Sequence, residues 1–215
     1  MPSSSQWLAF VVATILFIQV PGPSLLFTIG RALTVGRRDA LLSVLGNALG
    51  LQVQIIAVAV GLGAVVAASA TVYSVLKLAG AAYVVWLGIQ AIRHRSDARA
   101  AMEQQDDGAA THRSGSRSVW TGVVVGATNP KTVVFFVAFL PQFINSSAGH
   151  SGLQIMLMGL VFCGVAIMSD TIWALGASKA RDWFARKPKR LDTLGATGGL
   201  MMIGLGTTMA AAERS

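Results

Sequence analysis

Long uncharged stretches alternate with short basic ones along this chain. Residues 1–30, 40–76, 78–92, 132–169 and 193–212 contain no Asp, Glu, Lys or Arg. A hydrocarbon core of ~30 Å takes about 20 apolar residues in a helix. Only helices and closed barrels satisfy every backbone group in lipid. The apolar runs here are continuous, whereas a barrel strand alternates between lipid and lumen. The pattern therefore predicts an all-α polytopic membrane protein with six transmembrane helices, at 7–30, 40–68, 72–92, 119–143, 151–178 and 193–212. No basic segment precedes Trp7, and the first apolar run is too long for the core of a cleaved signal, so it should persist as a membrane helix.

Composition agrees. Hydrophobic residues make up 53% of the 215 residues and charged ones 12%, about half the ~25% of soluble domains. Disorder is excluded by the hydrophobicity, and a disulfide scaffold by the presence of a single cysteine, Cys163. The formal net charge of +8 is concentrated in three connections. Arg31, Arg37 and Arg38 follow the first span; five Arg lie between the third and fourth; six Lys and Arg lie between the fifth and sixth. Lys and Arg stay in cytoplasmic loops, which predicts both termini outside. The basic charge is thus a topology signal. A nucleic-acid partner would need a folded basic face with base-reading groups, and none is expected.

The long middle connection divides the chain into a three-helix repeat at 1–92, a cytoplasmic loop at 93–118 and a second three-helix repeat at 119–215. An odd number of spans per half inverts one half relative to the other, a recurrent transporter plan. Each half carries a proline interruption in its first span. In Pro21-Gly22-Pro23-Ser24 each proline removes a backbone donor and clashes with the carbonyl four residues earlier. The half-helix starting near Ser24 would point its positive end at a polar cavity, where a substrate carboxylate could sit; a packing kink is the simpler alternative. Asn129-Pro130-Lys131 is the counterpart in the fourth span. A Lys in a membrane helix costs ~2.5–3.5 kcal/mol on insertion scales. Either Lys131 snorkels to the cytoplasmic face, or it lies in the central cavity and binds a carboxylate or pairs with an acid. Asp170 in the fifth span is the deepest acid. An intramembrane carboxylate is a functional candidate by default. Burial favours its neutral form and a nearby Lys its ionised form, so it could exchange a proton; a structural Lys131–Asp170 pair, or a place near the interface, is the alternative. Asn47 could bond a neighbouring helix or the substrate. Gly46, Gly50, Gly61 and Gly63 in the second span, and Gly195, Gly199, Gly204 and Gly206 in the sixth, read as close-packing faces.

Other chemistries find little support. All three histidines lie in loops, so no metal site or metal cofactor is expected. An intramembrane serine protease lacks a deep histidine, and a dithiol shuttle lacks a second cysteine. The chain is not expected to be an enzyme or to carry a cofactor.

Leu76-Lys77-Leu78-Ala79-Gly80-Ala81-Ala82-Tyr83, Trp86-Leu87-Gly88, Asn129-Pro130-Lys131 and Phe139-Leu140-Pro141-Gln142-Phe143, together with Pro21-Gly22-Pro23, Gly36-Arg37-Arg38, Asp170 and Trp173, resemble the LysE/RhtB amino-acid exporter family from residue 7 to residue 212. Asp39 stands where that family more often has a small or apolar residue. The resemblance implies a secondary transporter in the bacterial inner membrane that exports a small amino acid or derivative, by proton antiport. The substrate-binding candidates are Pro21, Gly22, Pro23, Ser24, Asn47, Asn129, Pro130 and Lys131, and the proton-coupling candidate is Asp170. The partners implied are an amino acid, protons and the lipid bilayer; a homodimer stays open. The alternative function is metal or inorganic-ion efflux, from a related branch of the superfamily.

Overall fold

The fold is that of a computed structural model, which describes residues 1–68, 70–93, 96, 115–180, 183, 186, 187 and 189–211. Among these residues the regular structure is helical throughout. Most of the 93–118 connection lies outside the described residues.

The first apolar run forms two helices, α1 (Ser4–Gln19) and α2 (Pro23–Thr34), bent by 50°. Ser3 starts α1 with a capping box: its hydroxyl accepts from the Gln6 amide at 3.3 Å, and the Gln6 side chain accepts from the Ser3 amide at 2.8 Å. Pro21 ends it, because residue 21 has no N–H for the Phe17 carbonyl and the residue before a proline is driven out of the helical region. Val20 is accordingly extended, with φ −65° and ψ 114°. Pro23, whose φ suits a first helical position, starts α2. The chain then turns through Gly36 at φ +94°, a left-handed backbone that favours glycine, into α3 (Arg37–Ala68), with Asp39 in its first turn. Helix α4 (Ala70–Arg93) follows.

The second half repeats the interruption. Helix α5 (Gly115–Thr128) begins inside the segment that the sequence assigns to the loop. It gives way at Asn129 to α6 (Pro130–Val134), a π turn (Phe135–Phe139) and a 3-10 turn (Leu140–Phe143), with a 40° bend at the break. Helices α7 (Ser151–Lys179) and α8 (Lys189–Ala211) complete the described chain. By length and composition, Arg37–Gly61 and Ser151–Lys179 can each cross a membrane, and each bent pair qualifies as one further span.

Glycines set the helix spacing. Helix α3 lies against α5 so closely that a Cβ on Gly46 would stand 2.0 Å from the Val119 carbonyl oxygen, and one on Gly126 2.2 Å from that of Asn47. Helices α4 and α8 meet in the same way at Gly88 and Gly199. The glycine faces expected from sequence are thus only partly used: Gly61 and Gly204 meet no neighbour within 4 Å. The core between α1, α7 and the π turn is aromatic, with Phe17 and Phe135 centroids 4.4 Å apart and Phe135 and Phe162 4.9 Å apart. Large apolar side chains also face outward, among them Leu16, Leu45, Val53, Leu160 and Ile172. Lipid accommodates such a surface; water would not.

Candidate functional site

The two breaks meet in one pocket of about 380 Å³ of empty space, its open mouth included. Ser24 and Gly22 line it from the first break, Asn129 and Lys131 from the second, Asn47 from α3 and Asp170 from α7. Of the residues singled out from sequence, these six line the pocket. Pro21, Pro23 and Pro130 do not, and act instead by shaping the breaks. Apart from Thr132, the remaining wall is apolar, with Phe17, Leu51 and Phe162 among its residues.

A hydrogen-bonded relay crosses the pocket. Asn129 Nδ2 donates to Ser24 Oγ at 2.7 Å, Ser24 Oγ donates to Asn47 Oδ1 at 3.0 Å, and Asn47 Nδ2 donates to Asp170 Oδ2 at 3.2 Å. Both interrupted spans are thereby connected to the one acid in the wall. Asn129 is also the N-cap of α6, its side chain accepting from the Lys131 amide at 3.1 Å. This explains a turn-prone residue before the proline: the cap replaces bonds that a continuous helix would have made.

Lys131 is buried rather than snorkelled. Its Nζ donates to the Phe17 carbonyl at 2.7 Å and the Val20 carbonyl at 2.5 Å, and lies 4.4 Å from the centre of the Phe17 ring. The first of those carbonyls is the one that Pro21 leaves without its helical donor. A side chain of the second half therefore caps the broken helix of the first. Gly22 makes room for it, since a Cβ there would meet Lys131 Cδ at 2.7 Å.

The reciprocal cap escaped the sequence analysis. Gln54 of α3 donates through Nε2 to the carbonyls of Gly126 (2.9 Å), Ala127 (3.1 Å) and Asn129 (3.2 Å), and Thr132 donates to its Oε1 at 2.8 Å. Pro130 leaves the Gly126 carbonyl without its helical donor, so each break is capped from the opposite half. The available signal was a polar residue two turns after Asn47 in an uncharged run. Gln19 was missed as well: it donates to Ser169 at 3.0 Å and accepts from the Trp173 ring nitrogen at 3.2 Å, tying the end of α1 beside Asp170. Among the described residues no group of three or more His, Cys, Asp or Glu side chains converges as metal ligands would.

The chain matches the LysE type translocator family over residues 15–213. It is 33% identical over 208 residues to an uncharacterized membrane protein of Vibrio cholerae, covering 96% of this chain and 97% of the relative. It is 31% identical over 209 residues to the homoserine/homoserine lactone efflux protein of Salmonella typhimurium, covering 97% and 98%. No solved structure matches it.

Proposed function

The chain belongs to the LysE type translocator family, and we propose that it exports a small amino acid or amino-acid derivative across the bacterial inner membrane in exchange for protons. The observation that carries this reading is the pocket at which two interrupted helices, one from each half, bring one ammonium and one carboxylate to a shared wall. Such breaks at the midplane are where secondary transporters bind their cargo. The efflux relative supports the same class of substrate.

In this reading the six spans are α1 with α2, α3, α4, then α5 with α6 and the turns to 143, α7 and α8. The second three is inverted relative to the first, with both termini outside and the basic connections in the cytoplasm. The substrate carboxylate docks at the first turn of α2. That turn has no side-chain cap, its proline lacks an N–H, and the amides of Ser24 and Leu25 have no intrahelical partner. Asn129 adds a side-chain amide, and Lys131 adds positive charge while holding the break open. The substrate ammonium faces Asp170, which accepts a proton when the substrate leaves. One cation and one anion suit a zwitterion of no net charge better than a dication.

Counterflow of labelled neutral amino acids into proteoliposomes, with and without a pH gradient, tests this. Uptake stimulated by the gradient in the wild-type protein, and lost in Asp170→Asn, is the expected result. Gradient stimulation that survives in Asp170→Asn would remove Asp170 from the coupling.

A further inference from the structure

Helices α2 and α3 run away from the pocket, toward the Gly36 turn, with polar side chains facing each other. On α3, Asn47, Ser43 and Asp39 succeed one another at intervals of four residues, on one face. On α2, Ser24, Thr28 and Arg31 do the same at intervals of four and three. The rungs at the two ends are paired. Ser24 bonds Asn47 at the pocket. At the other end Arg31 Nε donates to Ser43 Oγ at 3.2 Å and its Nη2 donates to Ser118 Oγ of α5 at 2.6 Å, while Ser118 Oγ donates to Asp39 Oδ1 at 2.5 Å. Ser43 in turn donates to the Asp39 carbonyl at 2.8 Å. Between these rungs, the Thr28 hydroxyl is wholly buried and has no hydrogen-bond partner. Buried hydroxyls are nearly always bonded, and a membrane Thr usually reaches the carbonyl one turn back. A buried, unbonded hydroxyl in the middle of a polar seam is a group that can bond a polar molecule passing along it.

Resting on the export reading above, we propose that this seam is the passage by which substrate reaches the pocket from the end of the bundle bearing the basic turn, that Arg31, Ser118 and Asp39 are its latch, and that Thr28 is a stepping-stone for the substrate's polar groups. Ser118 is the pivot. It accepts from Arg31 and donates to Asp39, so it joins α2, α3 and α5 through one oxygen. Opening requires those two bonds, and the one from Arg31 to Ser43, to break, after which α2 can part from α3 and α5 at this end. The oppositely charged ends of the latch make the closed state self-complementary, and an incoming zwitterion offers both signs with which to replace it.

The test places a cysteine at Thr28 in a Cys163→Ala parent, so that the introduced thiol is the one cysteine of the chain, and measures its labelling by a membrane-impermeant methanethiosulfonate in inside-out vesicles. Ser43→Cys is a second reporter on the seam, and Ile29→Cys, on the apolar face of α2, is the control. Labelling at 28 and 43 is expected to be slow and to rise at least tenfold on adding Ser118→Ala, with position 29 unchanged. No rise at either seam position, or an equal rise at position 29, would overturn the latch. Counterflow is measured on the same vesicles. Absence of amino-acid counterflow from wild-type protein would overturn the export reading itself, whereas unchanged labelling in protein that still transports would overturn the latch alone.

Discussion

Gln54 offers the sharpest check on how the second break is held. Replacing it by Leu keeps the side chain's approximate size but removes a donor shared among three carbonyls. The Asn129 carbonyl keeps two other partners, the Val133 amide at 3.1 Å and the Thr132 hydroxyl at 3.0 Å. The real loss falls on Gly126 and Ala127. Each buried acceptor stranded in this way costs about 1–3 kcal/mol, while single hydrogen bonds within membranes average ~0.6 and reach ~1.7 kcal/mol in double-mutant cycles. The Leu side chain recovers part of the difference by burying apolar area. A net destabilisation of about 2 kcal/mol follows, on the order of 30-fold in the folded-to-unfolded ratio. The proline supplies the internal control. Pro130→Ala restores an N–H at position 130, four residues after Gly126, so the Gly126 carbonyl regains its helical donor. Gln54→Leu should then cost about half as much in the Pro130→Ala background as in the wild type, where half is the share of one carbonyl in two. Reversible unfolding in mixed micelles, followed by tryptophan fluorescence for the four proteins of the cycle, measures both numbers. Equal costs in the two backgrounds would refute the claim that Gln54 serves the Gly126 carbonyl freed by Pro130.

The glycine contacts predict that Gly126→Ala, whose Cβ would meet the Asn47 carbonyl oxygen at 2.2 Å, destabilises by about 1–3 kcal/mol through forced separation of α3 and α5. Gly61→Ala, with nothing within 4 Å, should be neutral or slightly stabilising, by up to about 1 kcal/mol. Thermal stability on size-exclusion chromatography separates the two. Ser24→Ala removes the centre of the pocket relay and should lower counterflow at subsaturating substrate severalfold, with a stability loss of about 1 kcal/mol; unchanged half-saturation would take the relay out of substrate binding. Lys131→Met should lose flux and should also cost less stability in a Pro21→Ala background than in the wild type, because its partner Phe17 carbonyl is the one that Pro21 frees; a cycle with no coupling, read by the same unfolding assay, would refute that link.

Much of the architecture was legible because lipid makes demands that can be read one residue at a time. Uncharged runs of span length, proline interruptions and clustered Arg and Lys fixed the helices, the two breaks and the expectation of a polar pocket. Helices lie where two further spans were expected, Ala70–Arg93 for 72–92 and Lys189–Ala211 for 193–212, although among the described residues neither is one of the helices that qualify as membrane-crossing by length and composition. Ser24, Asn47, Asn129, Lys131 and Asp170 stood out because each is polar in an apolar run, and all five line one pocket. What each of them touches was not legible. Lys131 offered a substrate carboxylate or an acid as partner on sequence grounds; in the fold its ammonium is held by two main-chain carbonyls 111 and 114 residues away in sequence. Gln54 offered only its polarity within an uncharged run, and neither it nor the Arg31–Ser118–Asp39 cluster gave a local sign of its partners, since these come from other helices.

The sequence alone therefore determined that this chain lives in lipid, where its helices lie and where two of them must break, since transfer free energy and missing N–H groups are properties of single residues. Only the tertiary structure decided which groups satisfy the carbonyls left over at those breaks. Hydrogen-bond partners across a bundle depend on how closely α3 and α5 approach and how the helices are rotated, and glycine contacts many residues apart set both.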